Sequence, residues 1–279
     1  MKNFKFYGFV IIFLLGFWAC DENEPTIPCL SCDNEVNVVE PTDQKILIEE
    51  FTGVRCVQCP AGSDEIQNLL GIHGSQLIAV SIHAGFFSNP YLQSRENYRI
   101  PEGESLNDFL DFPSAFPSAS INRKLFQNEN DLQLGRNSWG GLIQQEKARK
   151  SPLALDLQLD YDAGTRQLKT TATIQAAEVL EGTYRYSVMV VENNIVDYQL
   201  TPDSIRHDYV HKHVLRDMMT PFNGEAIEVA FTAGSTLTRE HQMVLPVTWV
   251  ADEVSVVVMV HQDSPGREVI QVEEVGLAD

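Results

Sequence analysis

Apolar positions along this chain change their period near residue 150. Before that point, short continuous apolar runs alternate with helical spacing. Gln44 to Phe51 reads as a buried strand through Ile46, Leu47, Ile48 and Phe51. From Cys56 to about Gly74, residues Ile66, Leu69, Leu70 and Ile72 recur at helical spacing, and the glycines at 71 and 74 close that helix. Gln76 to Ala84 is a second buried strand, continuous enough for a parallel sheet. A weakly periodic excursion, Gly85 to Phe112, carries a short helix at Ser105 to Phe109 that Ser105 would cap. A proline-led strand at Phe116 to Arg123 and an amphipathic helix at Ser138 to Arg149 complete this part.

Beyond Ser151 alternating runs follow one another. The runs are Leu153 to Leu159, Gln167 to Ile174, Tyr184 to Val191, Ala226 to Thr232, His241 to Val250, Val254 to His261 and Glu268 to Glu274. Turns such as Asp162-Ala163-Gly164 and Glu181-Gly182 separate several of them. The spacing predicts an antiparallel, immunoglobulin-like β-sandwich.

The N-terminus changes the picture of where the chain works. Lys2 and Lys5 precede the apolar run Phe6 to Trp18, which reads as a signal peptide and is short for a spanning helix. The run ends Gly16-Phe17-Trp18-Ala19-Cys20, a small residue directly before a cysteine. That resembles the lipobox of bacterial lipoproteins, which implies lipidation at Cys20 and a membrane attachment through that lipid. Residues 1–19 are then a lipoprotein signal peptide and 20–42 a flexible, polar tether. Net charge is −19, and becomes −21 without Lys2 and Lys5, so phosphate backbones are repelled and no nucleic-acid partner is expected. The mature protein is expected in the cell envelope.

With Cys20 assigned to lipid, four cysteines remain as two Cys-x-x-Cys pairs, Cys29/Cys32 in the tether and Cys56/Cys59 at a strand-to-helix junction. An oxidising compartment favours disulfides or redox dithiols over thiols here. The 23 residues between the pairs exceed zinc-ribbon spacing, and no metal or other cofactor is expected. Cys29/Cys32 is read either as a secondary dithiol relaying electrons or as a local disulfide. A thiol at a helix N-terminus feels the positive end of the helix dipole, so Cys56 and Cys59 are candidate catalytic residues. His207, His211 and His213 lie close in sequence, with Asp203 and Asp208 beside them, and are read as surface or interdomain polar residues or as a partial metal site.

Strand, Cys-x-x-Cys helix, strand, helical excursion, proline-led strand and closing helix together resemble the thioredoxin fold over about Asp43 to Arg149. The resemblance places a buried acid at Glu50 and the proline opposite the dithiol at Pro117. The whole chain resembles a narrower group, the twenty-eight-kilodalton outer-membrane protein family of lipoproteins. The residues that carry this are Phe51-Thr52-Gly53 leading into Cys56, Cys59 and Pro60, the Pro117 to Arg123 segment with its Asn122-Arg123, and the β-rich part from Ser151 onward. The expected architecture is therefore an α/β thioredoxin-like domain at 43–149 followed by an all-β sandwich domain at 150–279.

The resemblance implies a lipid-anchored thiol-disulfide oxidoreductase acting on extracytoplasmic protein substrates or a redox partner. Cys56 would attack, Cys59 resolve, Glu50 move the proton, and Phe116 and Pro117 hold the substrate strand. The alternative is a surface binding or assembly lipoprotein, with a structural Cys56–Cys59 disulfide and partner recognition by the β-sandwich. Whether the chain is an enzyme is left open between the two.

Overall fold

The central strands of this protein are buried on both faces, and that decides its architecture. The computed structural model describes residues 39–278 except Ser114 and Pro265. In chain order the elements are β1 (Thr42–Asp43), β2 (Ile46–Thr52), α1 (Cys59–His73), β3 (Leu77–His83), α2 (Pro101–Phe109), β4 (Ser118–Ile121), β5 (Leu134–Gly135), α3 (Arg136–Glu146) and β6 (Lys150–Ser151). There follow β7 (Leu153–Asp162), β8 (Gln167–Ala176), β9 (Thr183–Glu192), β10 (Ile195–Leu200), β11 (Ile205–His211), β12 (Val214–Met218), β13 (Glu225–Ile227), β14 (Thr236–Val244), β15 (Val254–Ser264) and β16 (Val269–Gly276). The described residues cluster as one compact unit.

An α/β thioredoxin-like domain followed by a separate immunoglobulin-like sandwich is not what forms. The structure is β-rich, and one nine-stranded sheet takes strands from both parts of the chain in the order β16-β15-β9-β12-β3-β2-β4-β5, with β13 also on β9. The join is β12 beside β3, parallel, with Val214 opposite Ser81 and the Ser81 N–H donating to the His213 carbonyl at 2.7 Å. Here β9 and β15 are the reason. Val188 and Val190 of β9 and Val256, Val258 and Val260 of β15 face one core, while Met189, Val191, Val257 and Met259 face another. Strands apolar on both sides must be covered on both sides. A three-stranded sheet, β14-β8-β7, covers the first face. The second continues across β3 and β2 of the same sheet and is covered by α2 and its surroundings, through Leu106, Leu110 and Leu132.

A third core sits between β2, β3 and β4 and the helices α1 and α3, with Ile46, Ile48, Ile66, Leu69 and the fully buried Trp139. Most predicted elements stand within a few residues of where the periodicity put them. The short helix differs: α2 begins at Pro101, and Ser105, expected as its cap, instead donates to the Pro101 carbonyl within the helix at 2.9 Å. Ala226 to Thr232 yields only the three-residue β13, and His241 to Val250 leaves its strand after Val244.

Candidate functional site

At the C-terminal end of β2 the chain turns through Gly53 to Cys59, the first residue of α1. The Cys56 N–H donates to the Gly53 carbonyl (3.0 Å) and the Cys59 N–H to the Cys56 carbonyl (3.3 Å). Cys56 and Cys59 form a disulfide with a Cα–Cα distance of 5.3 Å. Neither is open to solvent, at 4% and 2% exposure. Arg55 does not face the sulfurs. Its guanidinium donates to the carbonyls of Asn89 and Pro90 and lies over the Tyr91 ring at 4.4 Å.

Glu50 points from β2 toward α1, where Gly62 leaves room for it. Its carboxyl accepts from Ser81 Oγ at 3.1 Å, and its other oxygen has no partner among the described residues. Burial raises its pKa to about 8, against the smaller opposing effect of the Ser81 hydrogen bond. The acid is therefore largely neutral at pH 7. The Phe116–Pro117 peptide is cis, and Pro117 lies against Gly62 and so beside Glu50. Phe116 is half-buried within an aromatic row, Phe86, Phe87, Phe116 and Phe112, whose neighbouring ring centroids are 5.4, 5.8 and 6.3 Å apart. Phe86 is 80% exposed.

The feature missed in the sequence is the β10–β11 hairpin, which lies across the disulfide. Its Leu200 N–H donates to the Val54 carbonyl (2.7 Å), and Gln199 Nε2 donates to the carbonyls of Cys56 (3.1 Å) and Gly53 (3.4 Å). Tyr209 reaches Ser63 of α1. His211 packs its ring against His83 and Tyr98 at 5.7 and 4.9 Å. Between hairpin and body lies a cavity of about 20 Å³, lined by Glu50, Thr52, Cys59, His83, Gln199 and Tyr209, among others. Two short alternating runs around Thr201-Pro202-Asp203-Ser204 are the signal that could have revealed this hairpin.

The three histidines do not converge. His207 is exposed, His211 is buried, and His213 lies half-buried away from both, contacting Gln67 at 3.0 Å. Burial lowers the pKa of His211 and of His213 to about 4. Among the described residues no three His, Cys, Asp or Glu side chains gather to hold a metal ion. Cys20, Cys29 and Cys32 lie outside the described residues.

A family model described as outer membrane protein Omp28 matches residues 112–278, more than half of the chain. The protein belongs to the Omp28 family. Membership places it in the cell envelope, at the outer membrane. The matched segment begins before Pro117 and includes Asn122-Arg123 and every strand from β4 to β16. HBP35 of Porphyromonas gingivalis is similar in fold, with 19% identity and a TM-score of 0.68 over 86% of this chain and 77% of that one. A protein from Agrobacterium tumefaciens is 14% identical with a TM-score of 0.50, over 86% and 96% of the two chains. A domain of the outer membrane lipoprotein Omp28 from P. gingivalis is 18% identical with a TM-score of 0.32, over 45% and 88%. No curated protein matches the sequence. Among the described residues, no helix is long and apolar enough to cross a membrane.

Proposed function

We propose that this Omp28-family protein is a binding or assembly lipoprotein of the envelope, anchored through an acylated Cys20, in which Cys56–Cys59 is a structural disulfide. The observation that carries this reading is the burial of both sulfurs beneath the β10–β11 hairpin, with Gln199 occupying the backbone carbonyl of Cys56. An exchange reaction needs a sulfur that an incoming thiolate can approach in line, and this one is covered. The partner is an extracytoplasmic protein met by the β-rich part of the chain.

Thiol–disulfide exchange through the same pair is the second reading. What favours it is Glu50, a neutral buried acid sharing the small cavity with Cys59. Insulin reduction by a dithiol, with wild type compared against Cys56→Ser, separates the two. The binding reading expects equal rates. Acceleration by the wild type alone transfers the assignment to the enzyme.

A further inference from the structure

The β10–β11 hairpin is a two-stranded sheet of its own, outside the nine-stranded ladder. Two residues bracket it, Asn194 before β10 and His213 after β11, and both adopt left-handed backbone at φ 56° and 53°. A non-glycine residue is uncommon there, and two of them mark the two ends of one element. The hairpin is held down chiefly by hydrogen bonds. Leu200 and Gln199 bind the Cys56 loop, and Asp197 Oδ2 accepts from the N–H groups of Arg95 (2.9 Å) and Glu96 (3.0 Å). Its apolar support is a single small patch: Ile195 packs on a cluster of Val54, Tyr98, Val214 and Tyr91, with the Tyr198 and His211 rings against Tyr91 and Tyr98. Val196, Ile205 and Val210 face solvent. The interface beneath is imperfectly filled, with the cavity of about 20 Å³ and unpartnered polar atoms on Glu50 and His83. Such a unit has the low local stability from which sub-global openings are drawn.

We propose that the β10–β11 hairpin is a strap, hinged at Asn194 and His213 and latched by Gln199, whose opening alone exposes Cys56–Cys59 to thiols. The strap shields the disulfide in its closed state and admits a reductant without unfolding the sheet. It stands whether or not the pair turns over with a partner protein.

The test is reduction of the folded full chain by dithiothreitol, with alkylation at Cys56 and Cys59 read by peptide mass. One reagent thiolate attacks a sulfur of the pair, and the other sulfur leaves as thiolate and takes a proton. The reagent's second thiol then closes its ring, so two electrons pass to the cysteines and the reagent ends as cyclic disulfide. The expected result is reduction at least roughly a hundredfold slower than in the urea-unfolded chain, with a urea dependence far below that of global unfolding. Gln199→Ala should raise the rate by about tenfold, the worth of a latch hydrogen bond. Hydrogen exchange of the Leu200 amide in the wild type should report the same small opening, and decides the matter if the variant does not fold. A rate within a few-fold of the unfolded chain, or a urea dependence equal to that of global unfolding, overturns the strap. An unchanged rate in a folded Gln199→Ala overturns the latch.

Discussion

Arg123 and Glu49 face each other across the chain with neither side chain exposed, the guanidinium donating from Nε and Nη2 to both carboxylate oxygens at 2.5 to 3.1 Å. Arg123 Nη1 has no partner among the described residues. The pair closes the Asn122-Arg123 segment onto β2, where Asn122 also accepts from the Leu47 N–H (2.8 Å). Coulomb attraction in the interior offsets the large cost of taking both ions out of water only while both are present.

Arg123→Met is therefore expected to destabilise by about 3–5 kcal/mol, because it strands a buried carboxylate. Glu49→Leu combined with Arg123→Met should recover most of that loss. Urea unfolding midpoints of the two variants check both statements, and a double variant as unstable as the single would refute the pairing argument.

Glu50 makes stability fall as pH rises. Its folded pKa of about 8 lies above the ordinary value of 4.5, so the folded state holds the proton more tightly than the unfolded one. Its contribution is fully present below pH 4.5 and lost as pH climbs through about 8. Glu50→Gln cannot ionise, so the stability difference between variant and wild type should shift toward the variant by a few kcal/mol between pH 4.5 and 8. Unfolding free energies at pH 5, 7 and 9 measure that difference.

A half-buried histidine acts at the other limb. His213 has its pKa lowered from 6.5 to about 4 by burial and by the charge of Lys212. The stability linked to it is present above pH 6.5 and lost as pH falls through about 4. Asparagine tolerates the left-handed backbone at this position. Relative to wild type, His213→Asn should therefore gain up to about 3 kcal/mol as pH drops from 7 to 4. Parallel acid titrations followed by tryptophan fluorescence would show it, and coincident acid midpoints would exclude it.

Two glycines are required by close approach. A Cβ at Gly53 would sit 2.4 Å from the Phe87 backbone carbon and oxygen, and one at Gly62 would sit 2.6 Å from Glu50 Oε1 and 2.8 Å from Pro117 Cγ. Backbone cannot yield as a side-chain tip can. Gly53→Ala should cost more than Gly62→Ala, with the second in the range of about 1–3 kcal/mol for overpacking. Equal melting temperatures for the two would contradict that ranking.

Local elements were legible in the chain. The apolar spacing of Ile66 and Leu69 on α1 and the alternation of β7 and β8 are properties of neighbouring residues. So was family membership: the matched segment, residues 112–278, holds Asn122-Arg123 and the β-rich part, which stand in the sequence whatever the fold does. The proximity of Cys56 and Cys59 at a strand-to-helix turn was equally local.

Tertiary structure alone decided which strands share a sheet. Alternation tells which residues of β9 face a core, but not that β12 will lie beside β3, with Val214 opposite Ser81, and so unite the two expected domains. That outcome follows from β9 and β15 needing cover on both faces. Only the fold, too, brought Gln199 to the Cys56 carbonyl across 143 residues. Nothing near either residue specifies that contact, because it is set by where a whole hairpin packs. The sequence thus determined that a cysteine pair sits at a helix start, and packing determined that the pair lies covered.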